Sequence, residues 1–250
     1  AVLVTGPTGS GKSTTLYAAL NQVNSAEKNI ITVEDPVEYR LQGVNQVQVN
    51  TKAGLTFAAG LRSILRCDPD IVMIGEVRDR ETAQIAVESA LTGHLVLATL
   101  HTNDSAGGLT RLAEMGVEPF LSASAVVGIL AQRLARRLCP HCREQIAVPH
   151  DVLRETAGVS TLPRTLPDPA PVFRPRGCPR CGGTGYRGRL GVFEVLTMSE
   201  EIERLTVAGA SSEEIRRQAR REGMRTMRED GLLKVLSGHT SLEELARAVG

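Results

Sequence analysis

Eight consecutive residues constrain this chain more than any other feature. Gly6-Pro7-Thr8-Gly9-Ser10-Gly11-Lys12-Ser13 satisfies the pattern G-x-x-x-x-G-K-[ST] at every fixed position. Residues 1–5, Ala-Val-Leu-Val-Thr, read as a short buried parallel strand, and the stretch from about Lys12 to Asn24 reads as a helix. A chance glycine- and serine-rich turn would lack that strand–loop–helix setting. In it, the glycines let backbone N–H groups turn inward around phosphate oxygens. Lys12 brings a point charge to the β- and γ-phosphates, Ser13 offers a hydroxyl to Mg²⁺, and the helix aims its positive end at the same anion. Gly6, Pro7, Thr8, Gly9, Ser10, Gly11, Lys12, Ser13 and the adjoining Thr14 are therefore the candidate residues for binding ATP, with Mg²⁺ at Ser13.

The next segments continue the same alternation. Ile30-Ile31-Thr32-Val33 is a strand, Val44, Val47 and Val49 mark an edge strand or hairpin, and 57–66 is helical. Ile71–Ile74 is a buried strand, Arg80–Leu91 a helix stopped by Gly93, and Leu95–Leu100 a further core strand. Strands and helices in turn are the signature of a parallel α/β sheet. Residues 107–138 read as a helical region ending in the basic run Arg133, Arg136, Arg137. Pro149, Pro163, Pro167, Pro169, Pro171 and Pro175 punctuate 143–177, which reads as an excursion with little regular structure. From Glu200 to Gly250 helix patterns return, with starts at Ser211 and at Thr240-Ser241, each followed by acids.

In parallel sheets, ligands sit at the C-terminal ends of strands. Two such ends here carry carboxylates: Glu34-Asp35-Pro36-Val37-Glu38 and Gly75-Glu76. One acid can orient and deprotonate an attacking water, and the other can hold Mg²⁺ through water. We favour Glu34 as the base and Glu76 as the Mg²⁺-side acid. The usual pattern at the second position is four apolar residues and then Asp, but Gly75 occupies the Asp position here, so the division of labour stays open. Asp35, before Pro36, shapes the turn. Arg62, Arg66 and Arg78 flank the region as candidate fingers or sensors, supplied within the chain or from a neighbouring subunit. The alternative for Arg78 is a surface ion pair with Asp79 or Glu81. His101 lands at the ligand edge and is a candidate γ-phosphate reporter. His94 enters the same strand at its opposite end.

Cys139-Pro140-His141-Cys142 and Cys178-Pro179-Arg180-Cys181 are two C-x-x-C knuckles with 35 residues between them. Paired knuckles of this kind make closed tetrahedral Zn²⁺ sites, structural rather than catalytic. A redox pair is the rival, but neither knuckle opens a helix after a strand. Cys67 stands alone and is expected to be a buried or semi-buried thiol. Four metal-binding cysteines out of 5 point to a reducing compartment.

Composition narrows the field further. The formal charge is +1 and aromatics make up 3% of the 250 residues. That excludes a generically basic nucleic-acid binder and leaves little stacking platform for single strands. No apolar run approaches the ~20 residues of a membrane span, and no signal-peptide pattern opens the chain. The sequence opens on Ala1 directly into a strand, as expected of a piece whose upstream domain is missing.

With these residues in hand, the chain resembles the secretion ATPases of bacterial type II secretion and type IV pilus assembly, the GspE/PilB family. The resemblance runs through Gly6–Tyr17, Thr32–Tyr39, Asp68–Asp79, Leu91–Leu112, the four paired cysteines, Gly185-Tyr186-Arg187-Gly188-Arg189 and the tail at Thr240–Glu244. It implies an α/β fold: a RecA-like P-loop NTPase core at 1–138, a tetracysteine zinc-binding subdomain at 139–190 and a C-terminal helical region at 191–250. It also implies ATP hydrolysis with ATP, Mg²⁺ and Zn²⁺. The assembly would be a homo-hexamer at the cytoplasmic face of the bacterial inner membrane. Its expected partners are an inner-membrane platform protein and the cytoplasmic domain of a membrane adaptor, with no direct nucleic acid. Where the family commonly has Gln, this chain has Cys67, beside Arg66. The competing readings are a RecA-like nucleic-acid translocase and a non-hydrolysing assembly module.

Overall fold

The computed structural model describes residues 1–250. The elements in order are β1 (Val2–Thr5), α1 (Lys12–Val23), β2 (Ile30–Glu34), β3 (Asn45–Gln48), α2 (Phe57–Ile64), β4 (Ile71–Ile74), α3 (Arg80–Leu91) and β5 (Leu95–Leu100). There follow α4 (Ala106–Glu114), α5 (Pro119–Ala125), β6 (Gly128–Leu138), β7 (Glu144–Val148), α6 (His150–Ala157), β8 (Ala170–Arg174) and β9 (Tyr186–Thr197). The chain ends with α7 (Glu200–Val207), α8 (Ser212–Arg221), α9 (Met227–Leu236) and α10 (Leu242–Val249). The principal sheet has strand order β3-β2-β4-β5-β1-β6-β9. Each pairing from β3 across to β6 is parallel, so the α/β reading of the sequence holds.

The chain packs as two compact units. The first comprises 1–131 and 195–224, the second 132–194 and 225–250. This differs from the contiguous blocks expected from the sequence, because α7 and α8 belong to the first unit. Their residues Ile202, Ile215 and Ala219 are buried in the same apolar cluster as α4 and α5.

In the first unit the period-2 alternation of the strands feeds two cores. Leu3, Ile31, Val33, Val72, Ile74, Val96, Ala98, Leu100 and Ile129 face one, together with residues of α2 through α5. Val4, Ile30, Ile71, Met73 and Leu97 face the other, covered by Leu16, Tyr17 and Leu20 of α1. At β1, β2, β4 and β5 both faces of the sheet are therefore dry, which is why these strands read as continuous apolar runs. Local signals set the helix starts. Thr56 caps α2 and Asp79 caps α3 through side-chain bonds to N–H groups, and Ser211 and Glu214 form a reciprocal capping box on α8.

Two stretches depart from the sequence-based expectation. Residues 128–138, expected to be helical, form β6. The Ala-, Leu- and Arg-rich composition favours a helix, but the free edge of β1 takes Gly128–Ala131 as a parallel partner, and ladder pairing outweighs propensity. The proline-rich 143–177 is more ordered than expected. Glu144–Val148 pairs antiparallel with Ala170–Arg174, and α6 lies between them in sequence. In the second unit these elements share a core of Leu153, Val172, Leu232, Val235 and Leu245. No helix is long and apolar enough to cross a membrane.

Candidate functional site

Strand register brings four chain reversals to one edge of the sheet in the first unit. Thr5 is level with Leu100, Ile74 with Ala98, and Val33 with Ile74. The phosphate loop, Glu34, Glu76 and His101 therefore follow neighbouring strand ends on the same side of the sheet. The loop bends where Gly9 and Gly11 take φ of 78° and 89°, a region that side-chain-bearing residues seldom occupy. Gly11 leads into α1, whose first turn carries no acidic residue, so its positive end is not neutralised locally. Lys12 Nζ donates to Gly6 O at 2.8 Å and Pro7 O at 3.1 Å. Ser13 and Thr14 are exposed.

Glu76 and His101 lie in one polar cluster beside this loop. Glu76 accepts from Arg78 at 2.6 Å and sits 2.9 Å from His101 Nε2. Partial burial opposes ionisation of Glu76, but the Arg78 guanidinium, His101 and Lys12 outweigh it and hold its carboxyl below the usual range. The Lys12 contribution places Glu76 in the electrostatic reach of the phosphate loop. Arg78 also lies 3.9 Å from Asp35. Its partners are thus Glu76 and Asp35, rather than the Asp79 or Glu81 expected for a surface pair. Asp79 instead accepts from Thr82 N at 2.9 Å.

Glu34 is in a different environment. It is 3% exposed, facing α1, and accepts from Tyr17 Oη, Thr32 Oγ1 and Gln46 Nε2. Gly75, which replaces the usual Asp, has a steric reason: a Cβ there would meet Glu34 Cα at 3.2 Å and Val33 O at 3.3 Å. The loop after His101 is tied to the strand that feeds the phosphate loop, with Thr102 N donating to Thr5 Oγ1 at 2.8 Å.

The other candidates fall outside this cluster. Arg62 pairs with Glu81 on the surface. Arg66 is exposed, in the single turn Leu65–Cys67 that follows α2. Cys67 is exposed, against the expectation of a buried thiol. It closes that short turn instead of continuing the apolar face of α2. His94 bonds Ser89 O at 2.9 Å, at the strand end opposite His101. Tyr17, Gln46, Thr5 and Thr102 were not singled out from the sequence. Each is a common residue type in an ordinary helix or strand position, and only spatial neighbours reveal its role.

In the second unit, the Sγ atoms of Cys139, Cys142, Cys178 and Cys181 all lie within 4.8 Å of one another. The separations Cys139–Cys178, Cys142–Cys181 and Cys178–Cys181 are 3.9, 3.8 and 3.7 Å. A tetrahedral Zn²⁺ with Zn–S bonds of about 2.3 Å requires sulfurs about 3.8 Å apart, so the donor set fits that ion. Burial works against ionisation of Cys181, but N–H donors from Cys178 and Gly185 at 3.2 Å bring its thiol down to about 6. Burial pushes Cys142 up to about 11.

A curated relative from Thermus thermophilus, type IV pilus assembly ATPase PilB, is 54% identical over 248 residues, covering 99% of this chain and 27% of the relative. Type II secretion system protein HxcR of Pseudomonas aeruginosa is 55% identical over 246 residues, covering 98% of this chain and 48% of the relative. The chain therefore spans half or less of the length of these relatives. Among solved structures, the pilus retraction motor PilT with bound ADP aligns at a TM-score of 0.70 and 28% identity, covering 98% of this chain and 59% of that one. The ATPase DotB of Legionella pneumophila aligns at a TM-score of 0.68 and 24% identity over 98% of this chain and 58% of that one, a likeness of fold. The model for type II/IV secretion system proteins matches residues 1–247. The chain belongs to the family of type II/IV secretion system proteins.

Proposed function

We propose that this chain is the ATP-hydrolysing part of a motor that drives pseudopilus or pilus assembly. The observation that carries this is the convergence of the phosphate loop, Glu76 and His101 on one sheet edge, in a chain whose relatives include a type IV pilus assembly ATPase and a type II secretion system protein. Residues 6–14 bind the triphosphate through loop N–H groups and Lys12. Ser13 and, through water, Glu76 are the residues that would hold Mg²⁺, whose charge would neutralise the β- and γ-phosphate oxygens. Glu34 takes a proton from the attacking water as the water oxygen bonds to the γ-phosphorus. The bond from that phosphorus to the β–γ bridging oxygen breaks, leaving ADP and inorganic phosphate. His101, through Glu76, reports the γ-phosphate. Arg78 supports Glu76 within the chain, and Arg62 and Arg66 are left as surface candidates for contacts from a neighbouring subunit.

The first unit is the ATPase core, and the second carries a structural Zn²⁺ on its four cysteines. The working assembly is a homo-hexamer at the cytoplasmic face of the inner membrane. It associates with the membrane through a platform protein and the cytoplasmic domain of a membrane adaptor. Steady-state ATP turnover by the full-length protein tests the reading. Lys12→Ala, Glu34→Gln and Glu76→Gln should each lower turnover by about 100-fold or more. Unchanged turnover in all of them would overturn the roles given to these residues, absence of turnover in the parent would leave a non-hydrolysing assembly module, and steep DNA stimulation would favour a nucleic-acid translocase.

A further inference from the structure

Tyr17 lies on the buried face of α1, between Leu16 and Leu20 in the apolar cluster. A Phe or Leu would satisfy that packing equally well. The hydroxyl is the part that packing does not explain. It donates to Glu34 Oε2 and accepts from the backbone N–H of Glu38 at 3.2 Å. Its single proton is thus committed to Glu34. Burial, reinforced by Glu34, raises the phenol well above its ordinary value, so it remains a donor.

The rest of the network holds Glu34 and the backbone just beyond Glu38. Gln46 Nε2 donates to Glu34 Oε1 at 3.1 Å and to Tyr39 O at 3.2 Å, while its Oε1 accepts from Leu41 N at 2.7 Å. Thr32 Oγ1 donates to Glu34 Oε1 at 2.5 Å. The ring of Tyr39 stacks edge-on against Tyr17, with centroids 4.6 Å apart. A carboxylate offers about four acceptor positions. These bonds fill three, two on Oε1 and one on Oε2.

We propose that Tyr17 is a positioning residue for ATP hydrolysis: its hydroxyl fixes the Glu34 side chain, and the backbone at Glu38, relative to the helix that carries the phosphate loop. Lys12 and Tyr17 ride on one helix, 5 residues apart, so the triphosphate and the base share one rigid mount. The inference rests on the reading of Glu34 as base.

Tyr17→Phe in the full-length protein tests it. The variant should lose about tenfold or more in kcat, with KM for ATP and the affinity for a fluorescent ATP analogue both within about twofold of the parent. In a Glu34→Gln background, followed by single-turnover hydrolysis, adding Tyr17→Phe should cost nothing more. A parental kcat in Tyr17→Phe, with Glu34→Gln inactive, overturns the role of Tyr17 alone. A full additional loss in the Glu34→Gln background, or a loss confined to KM, overturns it too. Activity retained in Glu34→Gln overturns the assignment of the base, and this inference with it. If Tyr17→Phe does not fold, Gln46→Leu on the edge strand removes a second donor. It should lower kcat several-fold at unchanged KM, and a parental kcat there overturns the positioning network.

Discussion

Nε2 of His101 lies 2.9 Å from Oε1 of Glu76, so the end of β5 and the end of β4 meet through one polar contact beside the phosphate loop. Arg78 takes the other oxygen of the same carboxylate at 2.6 Å. Glu76 is held from both sides and has little freedom to turn away. His101→Ala should free it, lowering kcat for ATP by about 10- to 100-fold with a smaller effect on nucleotide affinity. Glu76→Gln should cost about 100-fold or more. Steady-state turnover paired with nucleotide-binding titration separates the two effects. Equal losses in affinity and kcat for His101→Ala would contradict the positional role.

Gly75 stands where the backbone leaves a Cβ little room. A Cβ would press on Glu34 Cα and Val33 O, and neither can rotate away. Gly75→Asp, which restores the commoner pattern, should therefore destabilise the first unit by about 1–3 kcal/mol and displace Glu34. Chemical denaturation and ATP turnover measured together check this. A stable, fully active Gly75→Asp protein would show that the strand ends can spread.

The four-cysteine cluster should yield about one Zn²⁺ per chain by elemental analysis. Cys139→Ser should lose most of it. Strong chelation should unfold the second unit, because binding free energy at such a site is folding free energy. A well-folded protein free of metal would refute the assignment.

Glu244 gives the second unit an acid-sensitive element. Its side chain is fully buried and bonded by Arg136 and Arg247. Burial opposes ionisation, but the Arg247 and Arg136 bonds outweigh it and bring the carboxyl from 4.5 down to about 2. A depressed folded-state value stabilises above the unfolded value and ceases to do so as pH falls through the folded one. The contribution should be complete above pH 4.5 and vanish towards pH 2. Both arginines are about half exposed, so solvent screening limits it to about 2 kcal/mol. Denaturation midpoints across that range should fall in the parent and stay flatter in Glu244→Gln.

The phosphate loop, the strand-end acids, His101 and the paired cysteines were legible because each is a local pattern whose chemistry requires those residues at that spacing. The strands of the first unit were legible for a related reason, since burial on both faces leaves continuous apolar runs. The strand at 128–138 was not. Its Ala, Leu and Arg content suits a helix, and the unpaired edge of β1 that claims it is 120 or more residues away in sequence. The second unit was concealed in the same way. Its proline-rich stretch gains order from pairing 144–148 with 170–174 and from helices near the C-terminus.

The sequence by itself determined the chemistry on offer: a phosphate cradle, two acids, a histidine and four thiols, each specified by neighbours within a few residues. Only the tertiary structure decided how these groups are held. It put Glu76 against His101 and Arg78, enclosed Glu34 with Tyr17 and Gln46, closed the 35-residue gap between the knuckles, and sent 195–224 back to the first core. The physical reason is distance along the chain. Propensity, capping and motif spacing act locally, whereas hydrogen bonds and ion pairs between strand ends depend on sheet register and on which faces are buried.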